Sequence, residues 1–271
     1  MRVNATRQIR KMRGGAQAHL QECDDGHLYV VKFRNNPQHQ RILVNEWIAS
    51  HLLAHLQIST PPIALVNISA EFLARNPQVC IEGPTRRLAV EPGQHFGSRF
   101  PDNPPGNMIY DFIPDSLLSK VVNQTEFLGA MVVDKWTGNA DMRQAIFTRS
   151  LRPGGYVASM IDHGYAFGGP QWKFLDSPLY GLYFRRSVYD IARSWDDFQP
   201  WLDQVVCFSR GVLDQVRSEV PPEWIFGEEA LLDSLLEKLL SRCKRVPDLI
   251  DDLLHADVNP FLGWQGRHAA Q

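Results

Sequence analysis

The chain has 271 residues and a mass of 30.9 kDa, and its 44% hydrophobic residues are enough for a sizeable core. Length and composition therefore exclude a disordered chain, a collagen-like chain and a mini-protein. With 28 basic and 30 acidic residues the formal net charge is −2, so we expect no direct nucleic-acid binding and no charge-driven attachment to a membrane.

The cysteine and hydropathy patterns bear on the compartment. The four cysteines form no CxxC pair and lie far apart, at Cys23, Cys80, Cys207 and Cys243. This spacing predicts neither a zinc cluster nor a disulfide framework, and it favours a reducing compartment. No apolar run approaches the roughly 18 residues of a membrane span, and no apolar signal region follows the basic start. We therefore expect a soluble, cytoplasmic protein.

The first hundred residues have the pattern of short strands around one helix. Residues 16–20 and the β-branched, aromatic run 27–33 (HLYVVKF) flank the turn Cys23-Asp24-Asp25-Gly26, which predicts an antiparallel hairpin. Apolar residues spaced near 3.6 predict a helix over 45–56, with Asn45 as its N-cap. Further strands are predicted within two apolar runs, 63–66 and 88–100.

The second part of the chain has a different character. Residues 99–106 (RFPDNPPG) form the densest cluster of Pro, Asp, Asn and Gly, which predicts a boundary between two parts of the chain. One β-rich piece, 146–167, follows it, and the C-terminal residues 261–271 are predicted to be disordered. Helical periodicity is found in four segments, 117–122, 127–136, 201–216 and 228–242.

A glycine-led turn, a strand lysine and a helix glutamate follow one another in the first part. Gly14-Gly15-Ala16-Gln17 is either an ordinary tight turn or a backbone that approaches phosphate with unobstructed N–H groups. Strand alternation separates Lys32 from Val31 and Phe33, as for a solvated lysine on an outer face. Glu46, 14 residues later, favours another role, because in kinases such a lysine neutralises nucleotide phosphates and is held by a helix glutamate. Glu46 also suits the positive end of the helix dipole.

Two aspartates 21 residues apart lie in the second part. Asp141 stands in the polar stretch 132–147 (VVDKWTGNADMRQAIF), and Asp162 ends a short apolar strand before His-Gly. A carboxylate at a strand end can be aimed into a cleft as a Mg²⁺ ligand. Phosphoryl transfer requires a carboxylate that orients the attacking hydroxyl, metal ions that bridge the phosphates, and a cation near the transferred charge. Asp141, Asp162 and Lys32 would meet these three requirements.

The order of these motifs resembles that of the HipA-like kinase family, a branch of the protein-kinase-like fold that also includes phosphatidylinositol-kinase-like enzymes. The resemblance covers roughly residues 10–170, and the helical segment from Pro222 also resembles the family. The matching segments are GGAQ at 14–17, VKF at 31–33, NEWIASHLLAHLQISTPP at 45–62, DKW at 134–136, NAD at 139–141 and IDHG at 161–164.

This resemblance implies a two-lobed, protein-kinase-like α+β fold, with a small β-rich N-lobe over residues 1–100 and a larger, mostly helical C-lobe over 101–260. It implies an ATP- and Mg²⁺-dependent phosphotransferase acting on a hydroxyl acceptor, with a protein serine or threonine as the family-based choice. Asp141 would be the catalytic aspartate, and Lys32, held by Glu46, would bind the phosphates. The turn residues that would line the nucleotide are Gly14, Gly15, Ala16 and Gln17.

The metal site departs from the pattern of this family. Relatives usually continue from the catalytic aspartate as D-R-H-x-x-N, whose asparagine is a second metal ligand beside the carboxylate that Asp162 would supply. Here Ile146 holds the asparagine position, so either Gln144 substitutes through its amide oxygen, or the site holds one metal, or catalysis is impaired. Arg143, in the histidine position, would stabilise the loop or the γ-phosphate charge, or pair with a carboxylate such as Asp134.

The adenine pocket is expected between the lobes, where a connecting strand offers backbone donors and acceptors. Residues 95–98 (HFGS) are the candidate connector, with Phe96 and Ser98 as nucleotide contacts, and an ordinary edge strand is the alternative.

Two other functions stay open from the sequence. The first is a nucleotide-binding regulator, a pseudokinase with impaired transfer, which Ile146 favours. The second is a metal-dependent hydrolase, whose candidate residues would be Asp134, Asp141, Asp162 and His163.

Overall fold

The computed structural model describes residues 1–83, 85–101 and 108–266, and its first hundred residues contain more strand than helix. The strands described in this part are β1 Arg2–Lys11, β2 His19–Cys23, β3 Leu28–Lys32, β4 Ile63–Ile68, β5 Cys80–Glu82, β6 Arg87–Ala89 and β7 Gly93–Arg99. Five of them close into a barrel in the order β1-β2-β3-β7-β4, whereas β5 and β6 pair with each other. The barrel pairings are antiparallel except for the parallel pair of β1 and β4.

The predicted hairpin is confirmed, and the strand before it is the one that the sequence patterns miss. β2 and β3 pair antiparallel, with Leu20 opposite Val30. Most side chains of β1 are exposed, so this strand lacks the apolar alternation by which a half-buried strand is recognised. Its position is fixed by the pairing with β4, which is distant in sequence.

Helix α1, Arg41–His55, packs against the outside of the barrel, and it begins four residues earlier than predicted. The prediction that Asn45 caps this helix is wrong, because Gln40 is the N-cap residue and Asn45 lies buried in the second turn. Glu46 is therefore also beyond the first turn, where the helix dipole is felt most strongly. The predicted start is too late because residues 42–44 are as buried as the predicted core positions. A helix that is buried on several sides has no apolar periodicity that marks its first residue.

From residue 108 to residue 266, helices are more extensive than strands, and β8, Gln144–Arg149, forms an antiparallel hairpin with β9, Tyr156–Ile161. The further helices are α2 Ala70–Arg75, α3 Asp115–Leu118, α4 Glu126–Thr137, α5 Trp201–Val206, α6 Arg210–Ser218, α7 Glu229–Arg242 and α8 Val246–Leu254. The single helix predicted over 201–216 is divided into α5 and α6, because the Ser209 hydroxyl accepts from the Gly211 N–H and starts a new helix.

The predicted boundary and the predicted C-terminal tail are only partly described by the structure. Most of the predicted boundary at 99–106 lies outside the described residues, and so do residues 267–271 of the predicted tail. Disorder does not extend to Phe261 and Trp264, because Phe261 is buried and both rings contact Phe198. No helix among the described residues combines the length and the apolar character that crossing a bilayer requires. The four cysteines are free thiols.

Candidate active site

Lys32 lies at the end of β3 and joins carboxylates from two other elements. Its Nζ donates to Oε1 of Glu46, on α1, and to Oδ1 of Asp162, 2.8 Å away and directly after β9. Burial opposes the charge on Lys32, but the two carboxylates outweigh this and raise the pKa of the ammonium. The lysine therefore stays charged at every physiological pH. Partners 14 and 130 residues away in sequence meet at one buried cation.

Glu46 holds both the lysine and the chain that follows β9. Its Oε1 contacts Lys32, and its Oε2 accepts the backbone N–H of His163 at 3.0 Å. The side chain of Glu46 is buried, and Gly164 lies so close that an added Cβ would be 2.8 Å from Ile42 Cγ2. The Glu46 carboxylate thus holds both the end of β3 and the loop after β9 in position against α1.

Asp162 has an unusual backbone and a half-open side chain. Its φ is +58°, a left-handed conformation that residues with a side chain rarely adopt and that clusters at functional sites. Oδ1 accepts from Lys32, while Oδ2 accepts from Nε2 of Gln144 at 3.2 Å. The neighbouring Lys32 charge lowers the pKa of Asp162 to about 2, so the carboxylate is ionised at neutral pH. Its side chain is 41% exposed, which leaves it accessible to a ligand.

The predicted pairing of Arg143 with Asp134 is present. Arg143 Nε donates to Asp134 Oδ2 at 2.9 Å and Nη2 to Oδ1, and both side chains are buried. Arg143 Nη1 also lies 2.7 Å from Nδ1 of His163. Burial, together with the Arg143 charge, lowers the pKa of His163 well below its usual range. Of the three predicted roles of Arg143, the structure shows the carboxylate pairing with an enclosed guanidinium, and stabilisation of the γ-phosphate charge stays a prediction.

Asp141 projects from a loop whose backbone is held on both sides. Its N–H donates to Oδ1 of Asn139 at 3.2 Å, and its carbonyl accepts the N–H of Gly181 at 3.0 Å. The Oδ1 atom accepts the N–H of Met142 at 2.8 Å, and the residue as a whole is exposed. The carboxylate is therefore fixed in direction and open to an incoming group.

The glycine-led turn connects β1 and β2. Gly14 has φ +121°, and both Gly14 and Gly15 are exposed. An added Cβ on Gly15 would be 3.0 Å from Nε2 of Gln38. Gln17 forms two hydrogen bonds of 2.8 Å with the backbone of Glu82, so its side chain holds β5 and does not point freely into a ligand site. The turn thus combines two open glycines with one anchored glutamine.

The predicted connector needs a correction. Residues 95–98 lie in β7, an interior strand of the barrel that pairs with β3 on one side and β4 on the other, so this is neither a connector nor an edge strand. Phe96 pairs with Lys32 across β3 and β7 and is 1% exposed, in a core that also contains the apolar residues of α1. Ser98 is half-buried. The reason is barrel closure, which draws β7 between two strands that are far apart in sequence.

The sequence patterns do not predict the contacts of Asn45, on α1, with the loop after Asp162. Asn45 Nδ2 lies within 3.1 Å of three carbonyls of the loop after Asp162, and its Oδ1 accepts from Nε1 of Trp172 at 2.8 Å. The three carbonyls are those of Gly164, Ala166 and Gly169. The available signal is a polar residue directly after the apolar run 42–44, and the capping interpretation assigns it no contact with the loop.

The donors available to a cation are few. Among the described residues, no group of three or more His, Cys, Asp and Glu side chains could hold a metal ion. The Asp162 carboxylate and the Gln144 amide are adjacent, and amide rotation would turn the Gln144 oxygen towards the same place. Two oxygen ligands from the protein, completed by phosphates and water, are the usual provision for Mg²⁺. Asp134 and His163 do not join them, because both side chains are enclosed with Arg143.

A β-barrel with one packed helix, a lysine–glutamate pair and a hairpin that delivers an aspartate define a protein-kinase-like protein. Solved structures share this fold: a Fam20 protein from hydra, solved with sugar, has a TM-score of 0.56 and 14% identity over 98% of this chain and 90% of that chain. The Golgi casein kinase has a TM-score of 0.52 and 12% identity over 95% and 74%. The proinflammatory kinase CtkA of Helicobacter pylori has a TM-score of 0.50 and 12% identity over 93% and 99%.

The chain belongs to the HipA-like kinase family, whose sequence model matches residues 6–247. A search of curated proteins gives no match. Fold and family together support a kinase-like phosphotransferase.

Proposed function

We propose that this protein transfers the γ-phosphate of ATP to a hydroxyl group in a Mg²⁺-dependent reaction. The observation that carries the proposal is the cluster of Lys32, Glu46 and Asp162, in which one permanently charged lysine is held between a buried glutamate and a half-open aspartate. This arrangement suits a triphosphate, because the cation can neutralise phosphate oxygens while Asp162 stays ionised beside it.

Each residue has a task that its geometry supports. Glu46 keeps Lys32 extended, so the ammonium can contact phosphates when a nucleotide enters. Asp162 and Gln144 would hold Mg²⁺, which would supply positive charge beside the transferred group. Asp141, with its backbone fixed and its carboxylate exposed, would orient the acceptor hydroxyl and accept its proton. The exposed backbone of Gly14 and Gly15 would lie over the phosphates.

The proposed architecture is one catalytic unit in two lobes, with the nucleotide between them. The N-lobe would be residues 1–100 and the C-lobe residues 101–260. Support comes from the origin of the site, because Lys32 and Glu46 come from the barrel and α1, whereas Asp141 and Asp162 follow α4 and β9. A protein serine or threonine is the proposed acceptor, which rests on family membership alone.

The test is replacement of Asp141 by Asn. We expect loss of γ-phosphate transfer by about 10²-fold or more, with ATP binding retained, because Asp141 contacts the acceptor and not the nucleotide. Radiolabelled phosphate on the protein itself and on a lysate measures the transfer. A thermal-shift titration with ATP measures the binding. The exposed Asp257→Asn is the matched control. Unchanged transfer in Asp141→Asn would sink the assignment.

The second candidate is a nucleotide-binding regulator without transfer, and the observation that favours it is Ile146. This residue is 8% exposed on β8 and offers no oxygen to a metal. The contact between Gln144 and Asp162 favours the active enzyme, since it supplies an amide where the metal would bind. ATP binding that strengthens with Mg²⁺, without labelled transfer by the wild-type protein, would establish the regulator instead.

A further inference from the structure

Lys135 is a buried lysine on α4 to which the proposed reaction gives no task. The residue is 5% exposed, and its Nζ donates to three backbone carbonyls of a single loop. The acceptors are Ser177 at 3.2 Å, Pro178 at 2.9 Å and Tyr180 at 2.8 Å. Three acceptors use all three N–H groups of an ammonium. The lysine therefore fixes the course of this loop, which we call the 176–181 loop.

The 176–181 loop ends against the backbone of Asp141. The N–H of Gly181 donates to the Asp141 carbonyl at 3.0 Å, while the Asp141 N–H donates to Asn139 Oδ1 on the other side. Asn139 is in turn held by Asp134, whose Oδ1 accepts from its Nδ2 at 3.0 Å. Two successive residues of α4, Asp134 and Lys135, thus support the two sides of Asp141.

The loop has little freedom to move independently. Gly181 has φ +74°, and an added Cβ would lie 2.2 Å from the Cβ of Asp134. At the other end, Asp176 accepts from Arg242 at 2.7 Å and from Arg245 at 3.0 Å. Lys135 holds the stretch between these two fixed points, so losing its hydrogen bonds would release the segment that leads into Gly181.

We propose that Lys135 is a positioning residue for phosphate transfer, which fixes the 176–181 loop and, through Gly181, the backbone of Asp141. The inference rests on the proposed function, because it takes Asp141 as the residue that orients the acceptor. Lys135 touches neither nucleotide nor acceptor in this mechanism. It sets where the Asp141 carboxylate stands, and a displacement of 1 Å in such a group can reduce a rate by about 10²-fold.

The ionisation of Lys135 should make the turnover depend on pH. Burial lowers the pKa of Lys135 to about 8, opposed by Asp134 on the same helix and by Asp176 on the loop. Arg242 of α7 donates to the Lys135 carbonyl, and Asp252 of α8 lines the same cavity of about 70 Å³. A neutral amine has two N–H groups, so one of the three loop hydrogen bonds is lost above pH 8. Turnover should therefore fall on the alkaline side, near pH 8.

The experiment compares the wild-type protein with Lys135→Met, in which an apolar chain of similar length fills the space. The readout is release of the labelled phosphate from γ-labelled ATP to any acceptor, whether the protein itself, a lysate or water. We expect release to slow by about 10- to 100-fold, with an unchanged ATP dissociation constant, because Lys32, Glu46 and Asp162 are untouched. Lys238→Met, at an exposed position of α7, is the matched control and should behave as wild type.

Two further measurements make the test independent of how well one variant folds. The wild-type pH profile should show an alkaline limb near pH 8, and folded Lys135→Met should lack it. Gly181→Ala should reproduce the slow release without weakening ATP binding. Wild-type release rates in folded Lys135→Met, or a flat wild-type profile between pH 7 and 9, would overturn the role of Lys135 alone. Absence of release by the wild-type protein would overturn the proposed function together with this inference.

Discussion

The backbone of Asp162 is left-handed, at a cost on the order of 1–3 kcal/mol for a residue with a side chain. Such a conformation persists only when its surroundings determine it, and here both carboxylate oxygens are held, one by Lys32 and one by Gln144. Gln144 stands opposite Ile161 in the hairpin, so the pairing of two strands brings its amide to the residue that follows. The hairpin therefore brings the Gln144 amide to Asp162, whereas Ile146 offers no oxygen.

Replacing Gln144 by Leu tests this placement. We expect the Mg²⁺ concentration for half-maximal phosphate transfer to rise by about tenfold, because one oxygen ligand is lost while Asp162 remains. Gln144→Glu, which keeps an oxygen, should retain the metal response. Gln204→Leu, at an exposed position of α5, serves as the control. An unchanged Mg²⁺ midpoint in Gln144→Leu would mean that Asp162 holds the metal without it.

Among the elements, α4 has the most demanding position. Every residue of this helix after Glu126 is buried, and the helix packs against α1, α5 and α8. Its apolar residues build the core, while its last turn supplies Asp134 and Lys135 to the loops that carry the site. Because α4 is enclosed by other helices, its last turn can hold both loops in fixed positions.

Gly129 shows how closely α4 packs against α5. An added Cβ would lie 2.5 Å from the indole of Trp201 on α5, so Gly129→Ala should lower the free energy of unfolding by about 1–3 kcal/mol despite the better helix propensity of Ala. Gly211→Ala, at an exposed position of α6, meets only Ser209 Oγ at 3.6 Å and should raise the free energy of unfolding by about 0.5 kcal/mol. Urea unfolding measures both. The same sign of change in the two variants would contradict the packing argument.

At the scale of the whole molecule, the segment before α7 joins the barrel to the helices. Arg41 on α1 pairs with Glu228 at 2.7 Å, and Gln40 donates to the Glu223 carbonyl at 2.6 Å. Trp224 is buried, and its Nε1 donates to the carbonyl of Gln94 on β7 at 2.9 Å. These contacts hold α1, and with it Glu46, to the segment before α7.

The barrel itself makes the stability of the molecule depend on pH. Burial lowers the pKa of His19 and of His95 from 6.5 to about 4, and both nitrogens of His19 lack a partner among the described residues. Between pH 6.5 and 4 the unfolded chain therefore binds protons that the folded protein does not, so stability falls as the pH falls. We expect the free energy of unfolding at pH 5 to be lower than at pH 7 by on the order of 2 kcal/mol.

Urea unfolding at the two pH values measures this difference. His19→Leu should reduce it, whereas His255→Leu, at an exposed position after α8, should leave it unchanged. Equal unfolding free energies of the wild-type protein at pH 5 and pH 7 would contradict the assignment of neutral, buried histidines.

Local patterns predicted those features that depend on neighbouring residues. The hairpin of β2 and β3, the strand β4 and the helix α4 follow from alternation, from periodicity and from turn residues. The interruption between α5 and α6 and the burial of Phe261 were missed. The Ser209 cap interrupts the apolar periodicity of the first, and the contact with the distant Phe198 buries the second.

The sequence by itself determined the order of the motifs, the charge types that each carries and the family to which they belong, because these are properties of residues near one another in the chain. Tertiary structure decided which of them act together. Closure of the barrel turned residues 95–98 into an interior strand, and burial paired Arg143 with Asp134. Lys32 met Asp162 across 130 residues, a contact that no local pattern encodes because it depends on how the segment after β9 packs against α1.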